Sequence, residues 1–132
     1  MVIDTSALVA ILQDEPERRA FTTRIEAAAT RAVSAATLVE CSIVLEARFG
    51  SAGVLSLDRL LQAGGVEVVP LDADQAAIAR AAYRRFGKGR HPAGLNLGAC
   101  FSYALAVART EPLLCKGDDF PATDVELALL RS

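Results

Sequence analysis

Asp4, Glu40 and the adjacent pair Asp118 and Asp119 are the side chains whose type and placement could do chemistry in this sequence. Each sits just beyond a short apolar run that reads as a buried strand. MVID stops on Asp4, RAVSA leads into the segment carrying Glu40, and PLLCK runs directly into KGDDF. No basic residue near Asp4 neutralises it, since the next positive residue along the chain is Arg18. Carboxylates gathered from such junctions repel one another by on the order of several kcal/mol unless a cation joins them. The donors on offer are oxygens, with no His and no metal-spaced Cys among them, a set that suits Mg²⁺ or Mn²⁺. Each residue also has a structural use. Asp4 fits an N-cap, Thr37-x-x-Glu40 fits a capping box, and Asp118 and Asp119 fit a turn after a strand.

The elements that would position these acids alternate in type. Strands are expected at 1–4, 31–35, 66–70 and 112–116, with a further short edge strand at 125–129. Helices are expected over 6–12, 14–29, 37–49, 52–63, 72–86 and 95–110. Gly50 and the pair Gly64-Gly65 are placed to stop two of them. Asp72 and Gln75 stand in capping-box spacing, and Gly87 closes the helix that they open. Strands alternating with helices imply βαβ units, right-handed connections and a parallel sheet covered on both faces. In such sheets ligands bind beyond the carboxyl ends of the strands. Asp4, the region of Glu40, the Asp118-Asp119 pair and the start of the helix at Asn96 all fall on that edge.

Other chemistry is weakly represented. The sequence contains no GxxxxGK[ST], GxGxxG after a strand, or GxSxG. The single histidine, His91, lies in a Gly/Pro loop and reads as a surface residue. Cys41, Cys100 and Cys115 are odd in number and lack CxxC spacing, so they read as reduced, small apolar side chains. The formal net charge of −2 supplies no general attraction for nucleic acid, and any such binding needs a local patch. YRRFGKGRH supplies one, with Arg84, Arg85, Lys88 and Arg90 as candidate phosphate contacts; as cations at a helix end they also complement its dipole. With 132 residues, 52% of them hydrophobic, one domain over 1–132 is expected. No apolar run reaches membrane-spanning length and the N-terminus lacks a signal-peptide pattern, so a cytoplasmic chain beginning at Met1 is expected.

Four segments together, DTSALVAIL, ATLVE, HPAGLNLGAC and LLCKGDDFPATDVEL, resemble the PIN-domain ribonuclease toxins of the VapC type. The resemblance implies a three-layer α/β/α sandwich with a small central parallel sheet and Mg²⁺- or Mn²⁺-dependent cleavage of RNA. It implies a cognate VapB-type antitoxin covering the site, often with a basic side chain, and a toxin homodimer. It matches Asp4 and Glu40 to the first two acidic metal ligands and Asp118, with Asp119 next in line, to the fourth. Thr5, Ser6 and Asn96 become supporting residues. The third acid is absent: where the family has LNxGDC this chain has LNLGAC, with Ala99 at the ligand position. Losing one carboxylate should weaken metal binding and leave the attacking water less activated, while the helix survives because Ala is a strong helix former. Natural loss and deliberate replacement both fit this change. Two readings follow, a weakened or inactivated endoribonuclease toxin, and a non-catalytic module of the same fold that captures its antitoxin or RNA. A phospho-receiver would want paired acids after the first strand, and Asp-Thr-Ser stands there instead.

Overall fold

The computed structural model describes residues 1–129. Four short parallel strands form one sheet in the order β3-β2-β1-β4, namely β1 (Val2–Ile3), β2 (Ala32–Ser34), β3 (Glu67–Val69) and β4 (Leu113–Leu114). Six α-helices among the described residues connect them: α1 (Thr5–Leu12), α2 (Arg18–Ala27), α3 (Ala35–Phe49), α4 (Ser51–Ala63), α5 (Ala73–Phe86) and α6 (Leu97–Arg109). The expected mixed fold with a central parallel sheet is the one observed.

The period-two alternation of strand side chains sets the layers. Val2, Ala32, Val69 and Leu113 face a core built with Ala79, Ala82, Phe86, Tyr103 and Leu105 of α5 and α6. Ile3, Val33 and Leu114 face the opposite core, built with residues of α1 to α4 such as Leu8, Phe21, Leu45 and Leu57. A strand with both faces buried must be apolar throughout, which is why VI, AV and LL carry no alternation of polar and apolar residues.

Strand order decides where a site can form. From β1 the chain moves outward on one side through β2 and β3, then crosses back to place β4 on the other side of β1. The direction of winding therefore switches between β1 and β4. A crevice opens at such a point beyond the strands' carboxyl ends. Asp4 follows β1 there, and the 116–119 segment follows β4.

Several boundaries depart from the sequence expectation. The helix expected from 14 begins at Arg18, because Asp14 takes a left-handed backbone (φ 53°) that no helix can contain. The third helix starts at Ala35, earlier than expected, with Ser34 as its N-cap accepting from the Ala36 amide. Glu40 consequently lies in the second turn, and the Thr37–Glu40 capping box does not form. Asp72 does cap α5 through the Gln75 amide, but the Gln75 side chain donates to the Pro70 carbonyl instead of closing the box. The edge strand expected at 125–129 is reduced to a single parallel bridge, Leu113 with Leu127. Gly50 ends α3 as expected, at φ 67°, and in the same step begins α4.

The C-terminal segment is tied to α6 by the Tyr103 hydroxyl, which donates to Asp124 at 2.6 Å, while Arg85 pairs with the same carboxylate at 3.1 Å. Burial, and then the neighbouring Asp124 carboxylate, push the Tyr103 phenol from 10.0 up to about 12. The native state thus keeps a proton that the unfolded chain releases near its ordinary value. The resulting stability is whole below pH 10 and drains away as the pH rises towards 12. Denaturant titrations on either side of pH 10 should show this alkaline loss in the parent. Tyr103→Phe should remove its share, about 1.4 kcal/mol for each pH unit in that window.

Candidate active site

Asp4 is the centre of the site and is only 6% exposed. It caps α1 by accepting from the Ser6 amide at 3.0 Å, and the Ser6 hydroxyl donates to the same Oδ2 at 2.7 Å. Its other oxygen, Oδ1, accepts from Ser102 Oγ at 2.6 Å, reaching across from α6. Ser102 is fully buried and shares its hydroxyl with Thr37 of α3 at 3.2 Å. The capping role and the chemical role of Asp4 are therefore one arrangement: the bonds that start α1 also fix the orientation of the carboxylate. Charge-assisted bonds of this kind are about twice as strong as neutral ones, which is what a buried unpaired charge requires.

Glu40 is held differently. Thr5 donates its hydroxyl to Glu40 Oε1. The carboxylate rests against the first turn of α6, where free backbone N–H groups favour a negative charge. Gly98 makes this approach possible, since a Cβ at that position would overlap the Glu40 carboxylate. Asn96 caps α6 by accepting from the Ala99 amide at 2.8 Å.

These groups line one cleft of about 450 Å³, with Asp4, Thr5, Ser6, Glu40, Asn96, Ala99 and Asp119 on its walls. Of the two aspartates after β4 it is Asp119 that reaches this cleft. Asp118 lines a neighbouring depression with Glu17, Cys115 and Pro121. Gly117 (φ 103°) lies in the turn between the strand and the two acids. Ala99 faces the cleft from the first turn of α6, where a longer acidic side chain would enter it.

The basic segment expected beside this rim lies elsewhere. Arg84 and Arg90 line an apolar groove between α5 and α6 together with Tyr83, Leu97 and Phe101. Arg85 is engaged by Asp124 and lies over the Phe86 ring, and Lys88 is exposed in the following turn. None of the four lines the acidic cleft. His91 is half-buried, its ring set edge-on to Phe86 and its Nδ1 accepting from the Ala93 amide.

The sequence reading missed Ser102, Gly98 and Thr37, as well as Lys116 and Arg48, the cationic residues of the cleft. A serine and a threonine inside apolar helices are a signal in principle, since a buried hydroxyl needs a partner. Lys116 is clamped by Glu15 and Glu17, each at 3.0 Å, and its backbone N–H donates to Ser6 Oγ at 2.9 Å. Its ammonium is thus matched by two carboxylates and does not neutralise Asp4. Two thiols beside the site are raised, chiefly by burial. Burial first, then Glu40 and Asp4, raise Cys41 to about 12. Burial and Asp4 raise Cys115 to about 12.

The donor chemistry is that of a hard divalent ion, oxygen only. Mg²⁺ is commonly held by one or two carboxylates, with water and substrate phosphate completing its shell, and Asp4 and Glu40 fit that description. Among the described residues no group of three or more His, Cys, Asp or Glu side chains forms a ready cluster for a metal ion.

Comparison with known proteins identifies the family. The PIN domain family model matches residues 1–126. The chain is 53% identical over 130 residues to ribonuclease VapC30 of Mycobacterium tuberculosis strain H37Rv, covering 98% of this chain and 99% of that one. It is 54% identical over 125 residues to a ribonuclease VapC of Mycolicibacterium smegmatis, covering 95% and 97%. Among solved structures it resembles the M. tuberculosis toxin VapC20, described as cleaving the sarcin-ricin loop, with a TM-score of 0.75 at 16% identity over 94% and 95% of the two chains. It also resembles a chain of a toxin–antitoxin complex from Klebsiella pneumoniae, with a TM-score of 0.59 at 18% identity over 85% and 82%. The chain therefore carries a PIN domain over nearly its whole described length. The chain belongs to the VapC-type toxins of that family.

Gly98→Ala tests the close approach on which the site depends. The atoms displaced are the end of a flexible side chain, so stability should stay within about 1 kcal/mol of the parent. Glu40 should be turned away from Thr5, and a crystal structure of the variant checks both it and the intact fold.

Proposed function

We propose that this chain is an endoribonuclease toxin of a toxin–antitoxin pair that hydrolyses RNA phosphodiesters with Mg²⁺ or Mn²⁺, and that Ala99 leaves it weakened or inactive. The observation that carries this reading is the convergence of Asp4 and Glu40 in one cleft, with Asp119 and Ala99 also on its walls. The relatives named ribonucleases support the reaction class, and the K. pneumoniae complex supports an antitoxin partner.

Asp4 and Glu40 would hold the ion, with Asp119 beside them. The ion supplies the acidity that activates a water and offsets charge at the phosphorus. Asp4, fixed by Ser6 and Ser102, keeps its carboxylate in a single orientation. Glu40, oriented by the Thr5 hydroxyl on its Oε1, would be the carboxylate that helps take a proton from the attacking water. Ala99 contributes no oxygen, and the cleft is one charge short. An antitoxin segment with a basic side chain would meet the acids electrostatically and exclude RNA. A toxin homodimer in the cytoplasm completes the proposal.

One observation favours the second reading, a non-catalytic module that binds antitoxin or RNA: the lack of a three-residue ligand cluster among the described residues. Ala99→Asp distinguishes the two. The variant should cleave RNA with Mg²⁺ at least tenfold faster than the parent, lose activity with chelator, and lose it again when Glu40→Gln is added. No gain over the parent would remove the catalytic proposal.

A further inference from the structure

The two cationic residues of the acidic cleft differ in what they are free to do. Lys116 is held between Glu15 and Glu17. Arg48 lines the same cleft and has no ion pair or side-chain hydrogen bond among the described residues. It stands on α3 in register with the site: Glu40, Val44 and Arg48 follow at intervals of four, and all three line the cleft. At 1.5 Å per residue, the backbone of Arg48 lies about 12 Å along the axis from that of Glu40. That separation is too long for a salt bridge with Glu40. It suits a phosphate next to the one being cleaved.

We infer that Arg48 is the residue that positions the RNA strand in the cleft, by pairing its guanidinium with a phosphate neighbouring the scissile one. The inference rests on the ribonuclease reading above and names the contact that reading lacks. An acidic cleft repels a polyanion, so a strand entering it needs a cation that no carboxylate already holds. Among the described residues Arg48 is the only cationic residue lining this cleft without such a partner. Its planar fork suits two phosphate oxygens at once. The Arg84–Arg90 segment, which the sequence suggested for this role, lines a different groove or is engaged elsewhere.

The test uses the parent protein with a fluorescein-labelled single-stranded oligoribonucleotide, read by anisotropy across a salt series. Arg48→Gln should weaken binding about tenfold at low salt and reduce the slope of log K against log salt by about 0.7. Arg48→Lys keeps the charge and should restore the slope, but only part of the affinity. The triple variant Arg84→Gln, Lys88→Gln, Arg90→Gln should retain the Arg48 contribution. Arg48 also sits in the last turn of α3, where a cation favours the helix dipole. If that is its whole role, Arg48→Gln will lower the melting temperature with the salt slope unchanged, which overturns the inference. A loss confined to the triple variant overturns it too. If neither the parent nor Ala99→Asp binds the RNA at any salt concentration, the ribonuclease reading itself falls, and that result is distinct from a failure of Arg48 alone.

Discussion

The desolvated carboxylate of Asp4 is the constraint around which the rest of the structure is arranged. A charge this deep costs several kcal/mol unless donors surround it. Three such donors come from two separate parts of the chain, the Ser6 amide and hydroxyl and the Ser102 hydroxyl. Ser102 reaches Asp4 only because α6 packs across the carboxyl end of β1. Ser6 also receives the Lys116 amide, which ties the loop after β4 to the start of α1. One buried charge thus connects the first strand, two helices and the last strand of the sheet.

Charge in the cleft is unbalanced, and this imbalance explains several features together. Glu40 is drawn to the N-terminal turn of α6, where Gly98 leaves room for it. Lys116, the cation nearest the Asp4 network, is drawn instead to Glu15 and Glu17, outside the carboxylate pair. The same charges add to burial, the larger cause, in raising the Cys41 and Cys115 thiols to about 12. An alanine at position 99 relieves part of this repulsion without disturbing the helix, because Ala99 still donates its amide to the Asn96 cap.

The fold was legible in the sequence where local signals were strong and concordant. The apolar runs, the glycine stops at Gly50, Gly64 and Gly87, and the cap at Asp72 all mark real elements. Boundaries failed where a tertiary partner competed for the local signal. Thr37 looked like a cap, but its hydroxyl is directed into the core towards Ser102, and Ser34 takes the cap. The basic run at 84–90 looked like a rim to the acids because it precedes α6 in the chain. In space α5 lays those residues along its other flank, and the cleft's free guanidinium comes from α3.

What the sequence by itself determined was the inventory: Asp4 and Glu40 as acids of one sheet edge, and parallel strands buried on both faces. These follow from periodicity, capping and residue type, which are short-range properties of a chain. The tertiary structure alone decided that Asp119 enters the cleft and Asp118 the neighbouring depression. It alone placed Ser102 against Asp4, Thr5 against Glu40, and Arg48 on the wall of the same cleft. The direction in which a side chain faces after a glycine turn, or across a helix crossing, depends on packing between segments distant in sequence, and no local pattern records it.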